Sequence, residues 1–159
     1  MSDEPSFLIL LDTHKQLDEL FLLQQEALME LDLELAVRRL GAFKRELLAH
    51  IQVEDELLIP LYAQRVERMR GAGPELFTGE HQRMHEALAR FEQTVESLRG
   101  SGLTRRRAIE FLDQQYMFKH LLEHHDDREA RFFFPQLDRV TSEAERRELI
   151  ARCLPPPAP

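Results

Sequence analysis

The sequence predicts an all-α fold, an antiparallel up-down four-helix bundle with a short C-terminal fifth helix. Three observations carry that prediction. First, glycine and proline are confined to a few places: Ser6 to Ile59 holds no proline and only Gly41, and Leu103 to Phe134 holds neither. Second, between those breakers apolar residues recur every three or four positions, the helical period. Third, no stretch alternates polar and apolar residues as a strand does.

The elements follow in order. Helix 1 is expected over about Ser6 to Glu30, with a turn near Leu31. Asp32 is placed to cap helix 2 by accepting from its first free amides, and that helix runs to about Gln64 with a kink or end near Pro60. The cluster Gly71, Gly73, Pro74 and Gly79 separates it from helix 3, which begins at Pro74, a favoured first-turn residue, and stops by Gly100. Helix 4 starts after Thr104 and finishes near Pro135. Ser142-Glu-Ala-Glu145 reads as a capping box opening a fifth helix to about Arg152. Four long helices with short connections form an up-down bundle.

A chain of 159 residues fits one domain, expected over residues 1–153, with 154–159 a proline-rich disordered tail. Its net charge of −8 argues against a nucleic-acid footprint. No apolar run approaches the roughly 20 residues of a membrane span, and the acidic start MSDEPS lacks the pattern of a signal peptide. The single cysteine, Cys153, excludes an internal disulfide and a CxxC metal site. A cytoplasmic protein, monomeric or homodimeric, is expected.

Seven histidines (His14, His50, His81, His85, His120, His124 and His125) fall on the four long predicted helices, and each of those helices has at least one. A lone histidine is usually a surface residue or a hydrogen-bonded core residue; four helices converging is a different matter. His14 lies on the stripe of Phe7, Leu10, Leu17, Phe21 and Leu28, and Glu54 lies near the centre of the stripe Phe43, Leu47, His50, Leu57 and Leu61. A carboxylate facing a core is costly unless paired or metal-bound, and no inward Lys or Arg lies on these stripes. On helix 4, with about 100° per residue, His125 falls within the stripe Phe111, Phe118, Leu121, Leu122, Phe132 and Phe133, and Glu129 lies close to it. His124 and His120 turn toward solvent. On helix 3, His81 lies roughly 60° from the apolar centre and His85 roughly 100°, so His81 is the better ligand and His85 a second. His14 and His81 lie seven or eight residues after their helix starts, and His50 and His125 ten residues before a proline, which levels all four along the bundle.

The two halves repeat a pattern: His50-x3-Glu54-x5-Pro60 and His125-x3-Glu129-x5-Pro135. Residues four apart share a helix face, so each imidazole and carboxylate can approach one ion. Four imidazoles and two carboxylates exceed what one tetrahedral zinc takes; mixed nitrogen and oxygen ligation suits iron or manganese, with the glutamates able to bridge two ions.

The ordered series His14, H50IQVE54, EH81QRMH85 and H125DDRE129 resembles the hemerythrin/HHE cation-binding family across nearly the whole chain. The resemblance implies a four-helix bundle around a non-haem di-iron centre, two Fe ions with Mn or Zn as possible substitutes. It would make His14, His50, His81 and His125 terminal ligands and Glu54 and Glu129 bridges. Oxygen-carrying hemerythrins have five histidines and two carboxylates, with HxxxxD on the last helix; here that carboxylate is Glu129, and the fifth histidine is expected at His85, with His124 or His120 behind it. The function expected first is binding or sensing of dioxygen or another small diatomic molecule. The alternative is redox chemistry on peroxide or nitric oxide, or donation of iron for repair of iron centres.

Overall fold

The computed structural model describes residues 4–154, so the proline-rich end expected to be disordered lies, apart from Leu154, outside the described residues. A 3-10 turn, Phe7–Leu10, leads into α1, Leu11–Met29. Leu31 takes a left-handed φ of 59° at the turn into α2, Leu33–Val53, where Asp32 accepts a hydrogen bond from the Leu35 amide at 3.0 Å. After α3, Ile59–Arg65, the chain crosses to α4, Pro74–Ser101, which opens on its proline. α5, Arg105–Arg128, is capped by Thr104; α6 is Phe134–Val140; α7, Glu143–Cys153, starts at the capping box of Ser142 and Glu145. No strand is present among the described residues, and no helix there is long and apolar enough to cross a membrane.

α1 packs on α2 and α5, and α4 packs on α2 and α5, closing the expected antiparallel four-helix arrangement. The apolar interior falls into two clusters. One, built on Phe21, Phe43, Phe91, Phe111 and Phe118, fills the bundle on one side of the histidines. The other, built on Phe7, Phe77, Phe133, Phe134 and Tyr62, closes one end under α7. Arg146 pins that end, donating to the backbone oxygens of Pro5, Asp138 and Thr141.

The rods do not stop at Pro60 and Pro135. Glu54–Leu58 and Glu129–Phe133 each form one π-turn, in which the Ile59 amide donates to the Glu54 oxygen and the Phe134 amide to the Glu129 oxygen. A proline lacks the amide an α-helix needs and its ring crowds the carbonyl four residues back. Widening the turn ahead of it by one residue relieves both problems and lets the helix continue. Helix 2 therefore continues past Pro60 through α3 to Arg65, close to its expected end at Gln64, and helix 4 runs on through α6 to Val140 rather than finishing near Pro135. The extra residue also rotates everything beyond it. Leu58, Ile59 and Tyr62 are buried where Leu57 and Leu61 were expected, and Phe133, Phe134 and Leu137 are buried while Phe132 is only half-buried.

Candidate metal centre

Between the two apolar clusters lies a polar layer one turn thick. His14 sits between Leu10 and Leu17, His81 between Phe77 and Met84, and His125 between Leu122 and Phe133. His14, His50, Glu54, His81, His125 and Glu129 are all at most 8% exposed. Four helices deliver them because each apolar stripe carries one histidine at the same depth, and α2 and α5 each add a glutamate one turn later.

The geometry divides the layer in two. His14, His50, Glu54 and Glu129 form one set, and Glu54, His81, His125 and Glu129 the other, with the donor atoms of each within 4.8 Å of one another. Glu54 presents Oε1 to His50 Nε2 at 2.8 Å and Oε2 to His81 Nε2 at 3.2 Å. Glu129 presents Oε1 to His125 Nε2 at 2.8 Å and Oε2 to His14 Nε2 at 3.0 Å. Both carboxylates therefore span from one set to the other, one oxygen to each.

These residues fit two cations better than they fit each other. His14 Nε2 faces His50 Nε2 at 3.0 Å, and His81 Nε2 faces His125 Nε2 at 3.3 Å, so each pair has at most one proton to share. None of the four carboxylate oxygens receives an aligned hydrogen bond despite the short distances to imidazole nitrogen. No Lys or Arg pairs with Glu54 or Glu129 among the described residues. Buried carboxylates left so carry a penalty of several kcal/mol, which bound cations would remove. Without metal, protons do part of that work. Burial pushes the His14 imidazole down, but the adjacent Glu129 carboxylate outweighs it and holds the pKa at about 9. His125 is raised well above its ordinary value, with Glu129 overcoming burial, and His81 is raised by Glu54 in the same way. Burial would raise Glu54, yet His50 and His81 keep its carboxyl well below the usual range.

A second ring of carboxylates stands behind the imidazoles. His81 Nδ1 shares a 2.7 Å hydrogen bond with Asp55. His125 Nδ1 lies 3.6 Å from Glu80, which accepts from Arg128 Nε at 2.7 Å, and His14 Nδ1 lies 3.2 Å from Asp126. Sequence reasoning did not single out these acids, although each is a chain neighbour of a candidate ligand: Asp55 of Glu54, Glu80 of His81, Asp126 of His125.

The structure brings together six of the seven predicted site residues. The seventh, His85, is exposed and belongs to neither donor set. Four residues advance a helix by 400°, so His85 is turned about 40° further than His81 from the inward direction. The reserve positions do not replace it: His124 is exposed, and His120 is half-buried, edge-on to Tyr116 and in neither donor set. Cys153 is kept out of the layer, and burial pushes its thiol up to about 12.

An antiparallel helical bundle with two adjacent buried His/Glu donor sets defines the class: a cation-binding domain with a possible binuclear site. The model of the hemerythrin HHE cation binding domain matches residues 8–137, and the chain belongs to that family. Comparison with curated proteins gave no match, and comparison with solved structures gave none either.

Proposed function

We propose that this protein is a non-haem di-iron protein whose centre binds dioxygen or a related small molecule. The observation that carries this reading is the pair of buried two-histidine, two-carboxylate sets sharing Glu54 and Glu129. Mixed imidazole and carboxylate donors suit iron or manganese, and a shared pair of carboxylates suits two like ions side by side. Iron in such a site supplies one-electron chemistry at positions the protein leaves open.

Size favours a small ligand. A cavity of about 10 Å³ lies beside His14, His50 and His125, walled by Leu17, Leu47, Ile51, Met84 and Leu122 with Asp18 and Asp126. That is about the space of one water molecule, too little for an organic substrate.

One observation favours the second reading, redox action on peroxide or nitric oxide. With no fifth histidine in the layer, each ion would have two imidazoles and two carboxylate oxygens, leaving both with room for ligands. The experiment is metal analysis followed by optical spectroscopy through cycles of oxygen. About two irons per chain and a spectrum that returns on deoxygenation support binding or sensing. Two irons with turnover of peroxide or nitric oxide support the redox reading. Absence of transition metal, with no reconstitution by ferrous iron, overturns both.

A further inference from the structure

We propose that the two cation positions are unequal: the His81/His125 position fills first and holds its ion more tightly, and the His14/His50 position is the exchangeable one. This inference rests on the binuclear reading above and concerns how that site loads.

The inner donors are matched, two imidazoles and the same two carboxylates on each side. The difference lies behind the rings. An imidazole that gives Nε2 to a metal keeps a proton on Nδ1, and a carboxylate accepting that proton fixes the ring and makes it a stronger ligand. At the His81/His125 position one ring is hydrogen-bonded to a carboxylate and the other has one close behind it. Asp55 accepts from His81 Nδ1 at 2.7 Å, and Glu80, only 2% exposed, stands 3.6 Å from His125 Nδ1 without an aligned hydrogen bond. Arg128 holds Glu80 in place and is itself anchored on the Gly71 carbonyl at 2.6 Å. At the other position neither ring is hydrogen-bonded to a carboxylate: Asp126 approaches His14 Nδ1 to 3.2 Å, unaligned as Glu80 is on His125. No carboxylate stands within 4 Å of His50 Nδ1 among the described residues.

The imbalance is written into the repeat. Superposing His50-x3-Glu54 on His125-x3-Glu129, and His14 on His81, pairs Asp55 with Ala130 and Glu80 with Thr13. The carboxylates that serve His81 and His125 thus have no counterparts serving His14 and His50. The second repeat offers one acid of its own, Asp126, where the first has Ile51. Access points the same way, since His14 and His50 both border the small cavity, whereas of the other pair only His125 does.

The test is titration of the metal-free full chain with Zn(II), reading the imidazole nitrogens by long-range 1H–15N NMR and the stoichiometry by equilibrium dialysis. At one zinc per chain, His81 and His125 should report binding while His14 and His50 remain free. The two dissociation constants should differ by at least about 10-fold, the low end for loss of an outer partner. Asp55→Asn should narrow that ratio, and Ala130→Asp, which gives His14 a carboxylate at the matching place, should narrow it from the other side. Parallel response of all four imidazoles, filling of His14/His50 first, or a ratio untouched by Asp55→Asn would overturn the proposal while leaving a binuclear centre intact. No zinc uptake at all would overturn the binuclear reading, and this proposal with it.

Discussion

Two adjacent residues give the sharpest test of the centre. His125 is 3% exposed and lies 2.8 Å from Glu129 Oε1, whereas its neighbour His124 is exposed and takes part in neither donor set. His125→Ala removes one of four donors from one ion and leaves Glu129 without a terminal partner on that side. Bound metal should fall from two per chain to one or fewer. A ligand held at 100 times its dissociation constant stabilises the folded chain by about 2.7 kcal/mol. For a chain of this length, 1 kcal/mol shifts the melting temperature by roughly 2–4 °C, so Tm should drop by about 5–10 °C in excess metal. His124→Ala touches nothing buried and should stay within about 0.5 kcal/mol of the parent, with both metals kept. The assay is metal content by mass spectrometry on the folded fraction, paired with thermal melts with and without chelator. Equal loss of metal in the two variants would refute the facing assigned to helix α5.

Glu54→Ala removes an oxygen from both sets at once and should empty both positions, a stoichiometry near zero where loss of a terminal histidine leaves one. In the metal-free chain His14 holds its proton up to about pH 9, and His81 and His125 are raised as well. Loading near neutral pH must therefore release protons, and calorimetry in buffers of different ionisation enthalpy should show apparent affinity rising from pH 6 toward 9; a flat profile would contradict the assignment. For the same reason the sign reverses for metal-free stability. Imidazoles whose folded pKa is raised stabilise fully below about pH 6.5 and lose that contribution as pH climbs through the folded value, so the chelated protein should melt lower at pH 9 than at pH 6. Phe21, 2% exposed and packed on Phe43, Phe91 and Phe118, lies in the core away from the donors. Phe21→Ala should cost about 3–5 kcal/mol in chemical denaturation while the folded fraction still carries two metals.

Much of this was legible because helix periodicity and metal chemistry constrain the same residues. An inward carboxylate such as Glu54 conflicts with an apolar stripe, and the conflict itself marks a cation site. The caps Asp32, Thr104 and Ser142 were readable because each is a local oxygen serving nearby amides. His85 was not, because a shared face at four-residue spacing still leaves a drift of about 40°, and only the neighbouring rods decide whether that drift reaches solvent. The outer acids were out of reach for a related reason: Asp55 lies on the α2 rod but serves His81 on α4, a contact between elements that no spacing within one helix encodes.

The π-turns explain both a failure and a success of reading by period. Counting 100° per residue along α2 points to Leu57 and Leu61, and along α5 to Phe132 and Phe133. On α2 the buried residues are Leu58 and Tyr62, each one position later; on α5 Phe133 is buried as expected, but Phe132 is only half-buried. The two errors are the same error, because each rod gains one residue between its glutamate and its proline. Upstream of that insertion the count holds, which is why His50 with Glu54 and His125 with Glu129 could be paired correctly. The turns also meet a need of the site: both begin at the glutamate whose two oxygens reach across to both donor sets. A widened turn frees the helix from strict α geometry at that residue, and π-turns recur at functional sites for that reason. The prolines six residues after each glutamate are therefore part of the centre's architecture rather than ends of its helices, which the doubled spacing His-x3-Glu-x5-Pro records.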